Sequence, residues 1–438
     1  MPLPATADTV PAIDPAGAVD ILADTLNIAH ANNPAPIGGS TGLDQATGVS
    51  FDGNRGGSVP TRLVYVPTAD GRLELGWDMQ VIPEDRIAQY QAVVSEDGTR
   101  VLRIEDQAWA ASYNVFALPI SDPDNGVQTL VVDPEDPIAS PFGWHDTNAQ
   151  PGAEFTDTRG NNVHAQEDLD DDDLLGQRPN GGASLIFNDV HDPTLNVSDP
   201  QNIDAATTQG FYTVNRVHDV LFHHGFDEIA GNFQGTNYSS QGQGGDPIVL
   251  DSIDLGAQDN AFFFPSVEGI PARIAMGETT ITSPMHGTVY DSAIVAHEYG
   301  HGLVSRLVGG PANIASVPGQ EQPGGLNEGW SDWLGLVFTQ DPSHDRNTPR
   351  PLGEYSFPSL ALGNPLPDQG SRSGVYSVDL AVGSQTILTN YATTGLDVHF
   401  TGEVWASALW DAHWFMIERY GFDADLAQGV GGNTAMME

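Results

Sequence analysis

The chain has 438 residues, of which 59 are acidic and 15 basic, giving a formal net charge of −44 at pH 7. Every basic residue is arginine, and cysteine is absent. A surface this acidic repels nucleic acid and anionic membranes, and the absence of cysteine excludes disulfides and thiolate metal ligands. No apolar run reaches about 18 residues, the length that predicts a transmembrane helix. We therefore expect a globular protein of two or three domains, with no nucleic-acid partner and no membrane span.

The acidic balance also suits a secreted protein in salty surroundings, where screening over about 8 Å or less relieves self-repulsion. Drift toward acidic composition is the alternative. The N-terminal sequence MPLPATADTV lacks the basic and apolar regions of a signal peptide.

The first 105 residues predict mainly β-structure. Residues 16–31 favour an amphipathic helix, and residues 32–42 predict a connector rich in Gly, Pro and Asn. From residue 61 to 105, alternating segments such as TRLVYVP and RLELGWDMQV are separated by turn signals, including Asp97-Gly98. This pattern predicts a meander of hairpins in a small β-rich domain.

The densest block of charge is EDLDDDD, residues 167–173. Clustered carboxylates are ligands that Ca²⁺ favours, although the spacing of an EF-hand is absent. A block of like charge is more often a solvated loop. Both interpretations stay open, and Ca²⁺ is retained as a candidate ion.

A helix is predicted over residues 210–224, GFYTVNRVHDVLFHH, with a stop at Gly225. His218 and His223 are five positions apart, so their side chains point in different directions on a helix. Packing or hydrogen bonding is therefore favoured over metal binding for both.

Residues 263–274 predict a strand and a turn, preceded by Asn260 and Ala261. On an exposed strand edge, these two residues could bind an extended peptide through their backbone groups. The alternative is a turn that enters a core strand.

The segment DSAIVAHEYGHGLVSRLVGG, residues 291–310, predicts a helix that contains H-E-x-x-H. Residues four apart share a helix face, so His297 and His301 can bind one metal ion while Glu298 lies beside them. Zinc accepts imidazole nitrogens and lowers the pKa of a bound water to about 7, and a neighbouring carboxylate can take the proton. A chance H-E-x-x-H in an ordinary amphipathic helix is the alternative.

Two glycines in this segment oppose the helix. Gly300 and Gly302 each cost a helix interior about 1 kcal/mol relative to Ala. We therefore expect tertiary packing to compensate, through close approach of another backbone.

The next apolar helix opens with GGLNEGWSD, residues 324–332. Glu328 and Asp332 are four apart, so Glu328 can face the metal as third ligand while Asp332 reaches the distal nitrogen of a zinc histidine. Combined with H-E-x-x-H, this pattern is more specific than either half. Further along, His399 precedes another helix, where it could project into the cleft or simply cap or pack against that helix.

Segments running in order from about residue 113 to the C-terminus resemble the secreted zinc metallopeptidases of the fungalysin type, relatives of thermolysin in the gluzincin group. The matching segments are ASPFGWH, TRGNNVHAQ, NRVHDVLFHHGFDEIAGNFQ, GGDPIVLDS, DNAFF, HEYGHGLVSRLVGGPAN, GGLNEGWSDW and DVHFTGEVWASALWD.

The resemblance implies a role for each residue singled out above. For the metal and the base, it implies zinc ligands His297, His301 and Glu328, general base Glu298, and Asp332 supporting a zinc histidine. For the substrate, it implies that Asn260 and Ala261 lie along the peptide backbone, and that His399, held by Asp397, stabilises the oxyanion.

The implied fold is α+β, two-lobed and thermolysin-like. We expect a propeptide-like β-rich region at residues 1–112, a mixed, β-rich N-terminal lobe at 113–290 and a mainly helical, zinc-binding lobe at 291–438. Cleavage between Asp106 and Tyr113 would release the mature enzyme.

Two features depart from the family pattern. Gly300 stands where the family often has Thr, which is expected to loosen the helix. Relatives continue beyond the position of Glu438, so the last lobe is expected to be truncated at its C-terminus.

The residues and the resemblance together predict a secreted, extracellular, monomeric zinc endopeptidase that cleaves extended protein or peptide substrates. By resemblance, an apolar residue would follow the scissile bond. The competing hypothesis is a catalytically inactive zinc-binding relative, or a latent proenzyme acting as a binding or structural protein. The presence of every metal and base residue favours the enzyme.

Overall fold

The structure is a computed structural model of the chain. It describes residues 10–42, 44–54, 57–67, 73–81, 83, 90–106, 111–150, 152–317, 321–358, 369–382 and 397–438. The chain divides into two compact units: unit 1 comprises Met1–Ala110 and Gln150–Phe155, and unit 2 comprises Ala111–Ala149 and Thr156–Glu438.

The described residues of unit 1 form a β-rich unit with one helix. Its elements are α1 (Pro15–Thr25), β1 (Ala35–Thr41), β2 (Ala46–Ser50), β3 (Ser58–Pro67), β4 (Leu73–Val81), β5 (Tyr90–Ser95) and β6 (Val101–Asp106). The strands form one antiparallel sheet in the order of the chain, in which β3 to β6 correspond to the meander predicted over residues 61–105.

Helix α1 packs against this sheet. It begins after Asp14, whose carboxylate accepts the amide N–H of Gly17 at 2.8 Å and so caps the helix. Val19 of the helix and Trp77 of β4 belong to one buried apolar cluster. The Trp77 indole N–H also donates to the Ile13 carbonyl at 3.1 Å. The same side chain therefore fills the core and fixes the start of the helix.

The prediction of a connector over residues 32–42 is wrong, because β1 lies within it. This strand pairs antiparallel with β2, with Ile37 opposite Gly48. Its sequence, APIGGST, conceals the strand because Gly and Pro are depleted in strands. Helix α1 is also shorter than predicted and ends at Thr25.

Unit 2 mixes two sheets with helices. Its strands are β7 (Ser112–Val115), β8 (Thr129–Val132), β9 (Val163–Asp168), β10 (Ile186–Phe187), β11 (Ile248–Asp254), β12 (Ala261–Phe264), β13 (Arg273–Thr279) and β14 (His286–Gly287). Its helices are α2 (Ile203–His223), α3 (Ser292–Leu307), α4 (Glu321–Phe338), α5 (Val398–Tyr420) and α6 (Gly432–Ala435). The chain is therefore a mixed α+β protein.

The larger sheet of unit 2 has the order β12-β13-β11-β9, with β14 beside β13, and the smaller one has the order β10-β7-β8. Helix α2 begins earlier than the predicted residue 210 and contacts β7, β9, β11 and α3. Nearly every side chain of this helix lies in the interior of the protein.

Helix α4 contacts both α3 and α5. A Cβ atom at Gly300 of α3 would lie 2.9 Å from the Cα of Ser331 in α4, and a Cβ at Gly402 of α5 would lie 2.5 Å from the Cβ of Glu328. Close approach of another backbone is thus confirmed for Gly300. It is wrong for Gly302, where the aromatic rings of Phe233 and Phe263 occupy the space.

No helix within the described ranges combines the length and apolarity that crossing a lipid bilayer requires.

Candidate active site

Helix α3 carries the H-E-x-x-H residues on a buried stretch. The rings of His297 and His301 have centroids 4.6 Å apart and are nearly perpendicular. Ligand atoms of these two histidines and of Glu298 lie within 4.8 Å of one another. The helical spacing therefore brings the three side chains together as the sequence predicts.

Glu328 of α4 reaches the same point from the neighbouring helix. Its Oε2 lies 3.4 Å from Nε2 of His297, and its Oε1 lies 3.7 Å from Nε2 of His301. Two imidazoles and one carboxylate form the donor set of many catalytic zinc sites, in which a fourth position stays open.

The charges around His297 show that this site suits a cation. Burial lowers the pKa of His297, but Asp332 and Glu328 outweigh burial and raise it to about 10. Burial likewise raises the pKa of Glu328, yet His297 brings it down to about 2. The buried carboxylates of Glu328 and Asp332 favour positive charge beside His297, which a divalent cation would supply. The residues present therefore fit zinc.

Asp332 holds His297 through the other ring nitrogen. Its Oδ1 lies 2.7 Å from Nδ1 of His297. It also accepts from Nε of Arg372 at 2.8 Å, from Nη2 of Arg372 at 2.6 Å, and from the hydroxyl of Tyr376. Burial would raise the pKa of Asp332, but Arg372 and His297 hold it well below its usual range.

Sequence reasoning missed Arg372 and Tyr376. They lie in GSRSGVYS, a segment with no helical or strand periodicity, and their partners are distant in the chain. One signal could have suggested a cation here. Glu328 and Asp332 place two carboxylates on one buried helix face, which requires positive charge nearby.

Glu298 is buried beside His297 and His301. Burial raises its pKa to about 7, with Glu328 adding to the rise and His297 opposing it. A carboxylate that gains and loses a proton near neutral pH has the property that a general base requires.

His399 lies at the first turn of α5. Its Nδ1 is 3.2 Å from Oδ1 of Asp397, and its Nε2 is 3.8 Å from Oε2 of Glu328. Asp397 caps the helix by accepting the N–H of His399 at 2.9 Å. The capping role therefore belongs to Asp397, while the imidazole of His399, 54% exposed, lies beside the carboxylate of Glu328.

A cleft of about 660 Å³ joins these residues. Asn260 and Ala261 lie on its border, together with the apolar side chains of Phe262, Leu352 and Phe357. Strand β12, which begins at Ala261, is the outermost strand of the larger sheet. Among the described residues no strand pairs with the other edge of β12, where an extended peptide could pair with the backbone.

The acidic block at residues 167–173 forms a separate cluster. Ligand atoms of Asp168, Asp173 and Asp254 lie within 4.8 Å of one another. The guanidinium of Arg273 donates to Asp173 and Asp251 and lies 3.7 Å from Asp168. An arginine of the chain itself therefore already places positive charge among these carboxylates.

His218 takes part in hydrogen bonding, as predicted, and His223 lies beside a carboxylate. Nδ1 of His218 lies 3.0 Å from Asp219, and Asn232 lies 3.2 Å from its Nε2. Nε2 of His223 lies 3.0 Å from Asp136. Neither ring faces the cleft formed by α3 and α4.

Comparison with known families agrees with this geometry. The sequence model of the fungalysin metallopeptidase family (M36) matches residues 112–438, which include every residue of the site described above. The chain belongs to the fungalysin metallopeptidase family.

Several curated relatives carry the name extracellular metalloproteinase. The chain is 37% identical over 365 residues to extracellular metalloproteinase MEP of Leptosphaeria maculans, covering 82% of this chain and 54% of the relative. It is 34% identical over 401 residues to extracellular metalloproteinase mep of Aspergillus terreus, covering 89% and 60%. It is 35% identical over 379 residues to extracellular metalloproteinase 3 of Arthroderma otae, covering 85% and 56%. The chain thus spans little more than half the length of these relatives.

Proposed function

We propose that the protein is a zinc-dependent endopeptidase that hydrolyses peptide bonds of extended protein substrates. The observation that carries the proposal is the convergence of His297, His301 and Glu328 at the floor of a cleft that also holds Glu298. The family and the printed names of the relatives support the same chemistry and an extracellular, secreted location.

In this proposal, His297, His301 and Glu328 hold the zinc ion. When bound, zinc would lower the pKa of a bound water to about 7 and polarise the scissile carbonyl. Glu298 accepts the proton of that water and returns it to the leaving amine nitrogen. Burial raises the pKa of Glu298, which favours uptake of that proton by its carboxylate.

The remaining residues orient these groups and the substrate. Asp332 fixes the ring of His297 so that its Nε2 faces the metal position. His399, oriented by Asp397, directs an N–H toward the negative charge that develops on the carbonyl oxygen. Asn260 and Ala261 align the extended peptide along the edge of β12.

The organisation of the chain follows the same proposal. Residues 1–112 act as a propeptide-like region that keeps the protein latent, and residues 113–290 and 291–438 form the two lobes of a thermolysin-like peptidase. The end of the first segment of unit 1 at Ala110 and the start of the family match at residue 112 support this division. Limited autolysis near Asp106–Tyr113 should yield a shortened species with raised activity. A full chain that is fully active without processing would contradict this part.

The acidic cluster around Asp168 leaves Ca²⁺ as a subordinate proposal, because Arg273 already provides positive charge there. If Ca²⁺ binds in this cluster, Ca²⁺ should raise the melting temperature of the protein, and Asp254→Asn should abolish that rise. We further propose that the protein acts as a monomer, which sedimentation would test.

The central experiment measures zinc content and casein digestion, with and without a chelator. His301→Ala should lose stoichiometric zinc because it removes a ligand. Glu298→Gln should keep zinc and lose nearly all turnover because it removes only the base. Glu418→Gln, which changes an exposed carboxylate of α5, is the matched control.

One equivalent of zinc without hydrolysis, even after processing of the N-terminal region, would favour an inactive zinc-binding relative. Zinc loss in both variants, or turnover in Glu298→Gln, would contradict the assigned roles.

A further inference from the structure

Glu403 is a buried carboxylate that the roles proposed above do not use. It lies one helical turn after His399 on α5, is 1% exposed and borders the cleft. Its Oε1 accepts the amide N–H of Ser373 at 2.8 Å, and its Oε2 accepts the Ser373 hydroxyl. Burying a carboxylate is unfavourable unless its hydrogen bonds are made, so this pair of bonds fixes where Ser373 can lie.

Ser373 follows Arg372 directly. The described segment 369–378 contains no helix or extended strand, and isolated bridges hold it at Gly370, opposite Leu352, and at Tyr376. The amide of Ser371 donates to the Leu352 carbonyl at 2.8 Å on the N-terminal side of Arg372. Glu403 supplies the corresponding anchor on the C-terminal side.

The side chain of Arg372 requires such a fixed backbone. Its Nε and Nη2 bind the two oxygens of Asp332 at 2.8 and 2.6 Å, and Nη2 lies 3.4 Å from Glu328. A planar guanidinium makes this paired contact in only a narrow range of orientations. A shift of the segment would break the two bonds from Arg372 to Asp332. Asp332, which holds His297, would then lose this support.

We propose that Glu403 is a positioning residue, which acts through Ser373 to hold Arg372 against Asp332 and Glu328. The inference rests on the proposed peptidase function. It adds a link from α5 to the metal-binding residues of α3 and α4 that passes through an irregular segment.

The first test is Glu403→Gln, which keeps the volume of the side chain but leaves only one oxygen for the two Ser373 donors. We expect kcat/KM to fall about 10- to 100-fold, the usual effect of losing a supporting partner around a metal site. Glu418→Gln, on the same helix but about half exposed in its pair with Arg346, should leave kcat/KM unchanged.

A double-mutant cycle with Arg372→Lys separates positioning from a merely structural role. If Glu403 acts through Arg372, then Glu403→Gln should change kcat/KM by less than about twofold in the Arg372→Lys background. Fully multiplicative effects would overturn the proposal, because they would show that the two residues act independently.

Amide hydrogen exchange provides a readout that does not need activity. In a Glu298→Gln background, Glu403→Gln should accelerate exchange in the peptide covering residues 371–376, and Ser373→Ala, which loses only the hydroxyl bond, should accelerate it less. Unchanged exchange in both variants would overturn the positioning role. If the protein without substitutions digests no substrate even after processing of its N-terminal region, the proposed function fails, and the exchange experiment still decides whether Glu403 anchors this segment.

Discussion

Nδ1 of His297 lies 2.7 Å from Oδ1 of Asp332, while Nε2 of the same ring lies 3.4 Å from Oε2 of Glu328. The two carboxylates are four residues apart on α4, so one helix face holds both sides of the ring. In the proposed zinc site, a proton on Nδ1 beside Asp332 would leave the Nε2 lone pair for the metal.

Asp332→Asn should therefore weaken zinc binding or activity by about 10- to 100-fold, because an amide can present its NH₂ group to Nδ1 and does not hold the required tautomer as a carboxylate does. Competition with a chelator of known affinity would measure the loss. Zinc affinity equal to that of the unmodified protein would show that the 2.7 Å contact does not orient the ring.

His399→Ala should bind zinc normally, keep KM within a few-fold and lose about 10² to 10³ in kcat. The reason is that the imidazole lies beside Glu328 without belonging to the proposed ligand set. Steady-state kinetics on a peptide substrate, with zinc content as the internal control, would measure this. An unchanged kcat would show that His399 is structural and that another donor meets the oxyanion.

Gly300→Ala should lower the melting temperature even though Ala favours helix by about 1 kcal/mol. The added methyl group meets the Cα of Ser331, and overpacking of this kind costs about 1 to 3 kcal/mol. Ser305→Ala on the same helix is the matched control, because its hydroxyl donates to the Gly302 carbonyl within α3 at 2.8 Å. If both variants gained stability equally, the contact between α3 and α4 would not constrain position 300.

Stability should fall on acidification because buried histidines stay neutral in the folded protein. Burial lowers the pKa of His413 to about 3 and that of His145 to about 4. Each unfolded histidine binds a proton near pH 6.5, so unfolding takes up protons as pH falls from about 6.5 toward 4, and each such group removes about 1.4 kcal/mol per pH unit.

Denaturant unfolding at several pH values would measure this slope. His413→Gln should reduce this pH slope by up to one proton, because Gln does not bind a proton in this pH range. The Gln side chain can still bond to Gln340, the partner of His413 at 2.8 Å. His30→Gln is the control, because His30 belongs to unit 1 and His413 to unit 2. A slope identical in both variants would contradict the assignment to His413.

Salt should stabilise the protein because its net charge of −44 creates self-repulsion in the compact state. Raising NaCl from about 0.05 to about 1 M shortens the screening length to about 3 Å and should raise the melting temperature. Sucrose at the same osmolality controls for non-ionic effects. A melting temperature that does not change with salt would mean that the charges are too dispersed to matter.

The sequence predicts the parts of the site that one helix contains. His297 and His301 share a face of α3 with Glu298 beside them, and Glu328 and Asp332 share a face of α4, so periodicity alone places the groups of each helix. Helical periodicity does not predict the distance between the two helices. It depends on the backbone contact at Gly300, for which the sequence gives only the hint of an unfavourable residue.

The remaining partners come from segments without periodicity. Arg372, Tyr376 and Ser373 lie in an irregular stretch whose position depends on contacts with α4 and α5. The hairpins of unit 1 are predictable because alternation and turn residues are local signals. Strand β1 is not, because its Gly-rich sequence forms a strand only through pairing with β2.

The contact between Gly300 and Ser331 gives position 300 the properties of a spacer. The main chain of α3 meets the main chain of α4 at this position. The absence of a side chain at Gly300 therefore allows the two helices to lie this close together. A larger residue would push the helices apart and widen the space between His301 and Glu328. Divalent metal ions differ in radius. A series of Gly300 variants with different distances between α3 and α4 would therefore be expected to prefer different divalent metals.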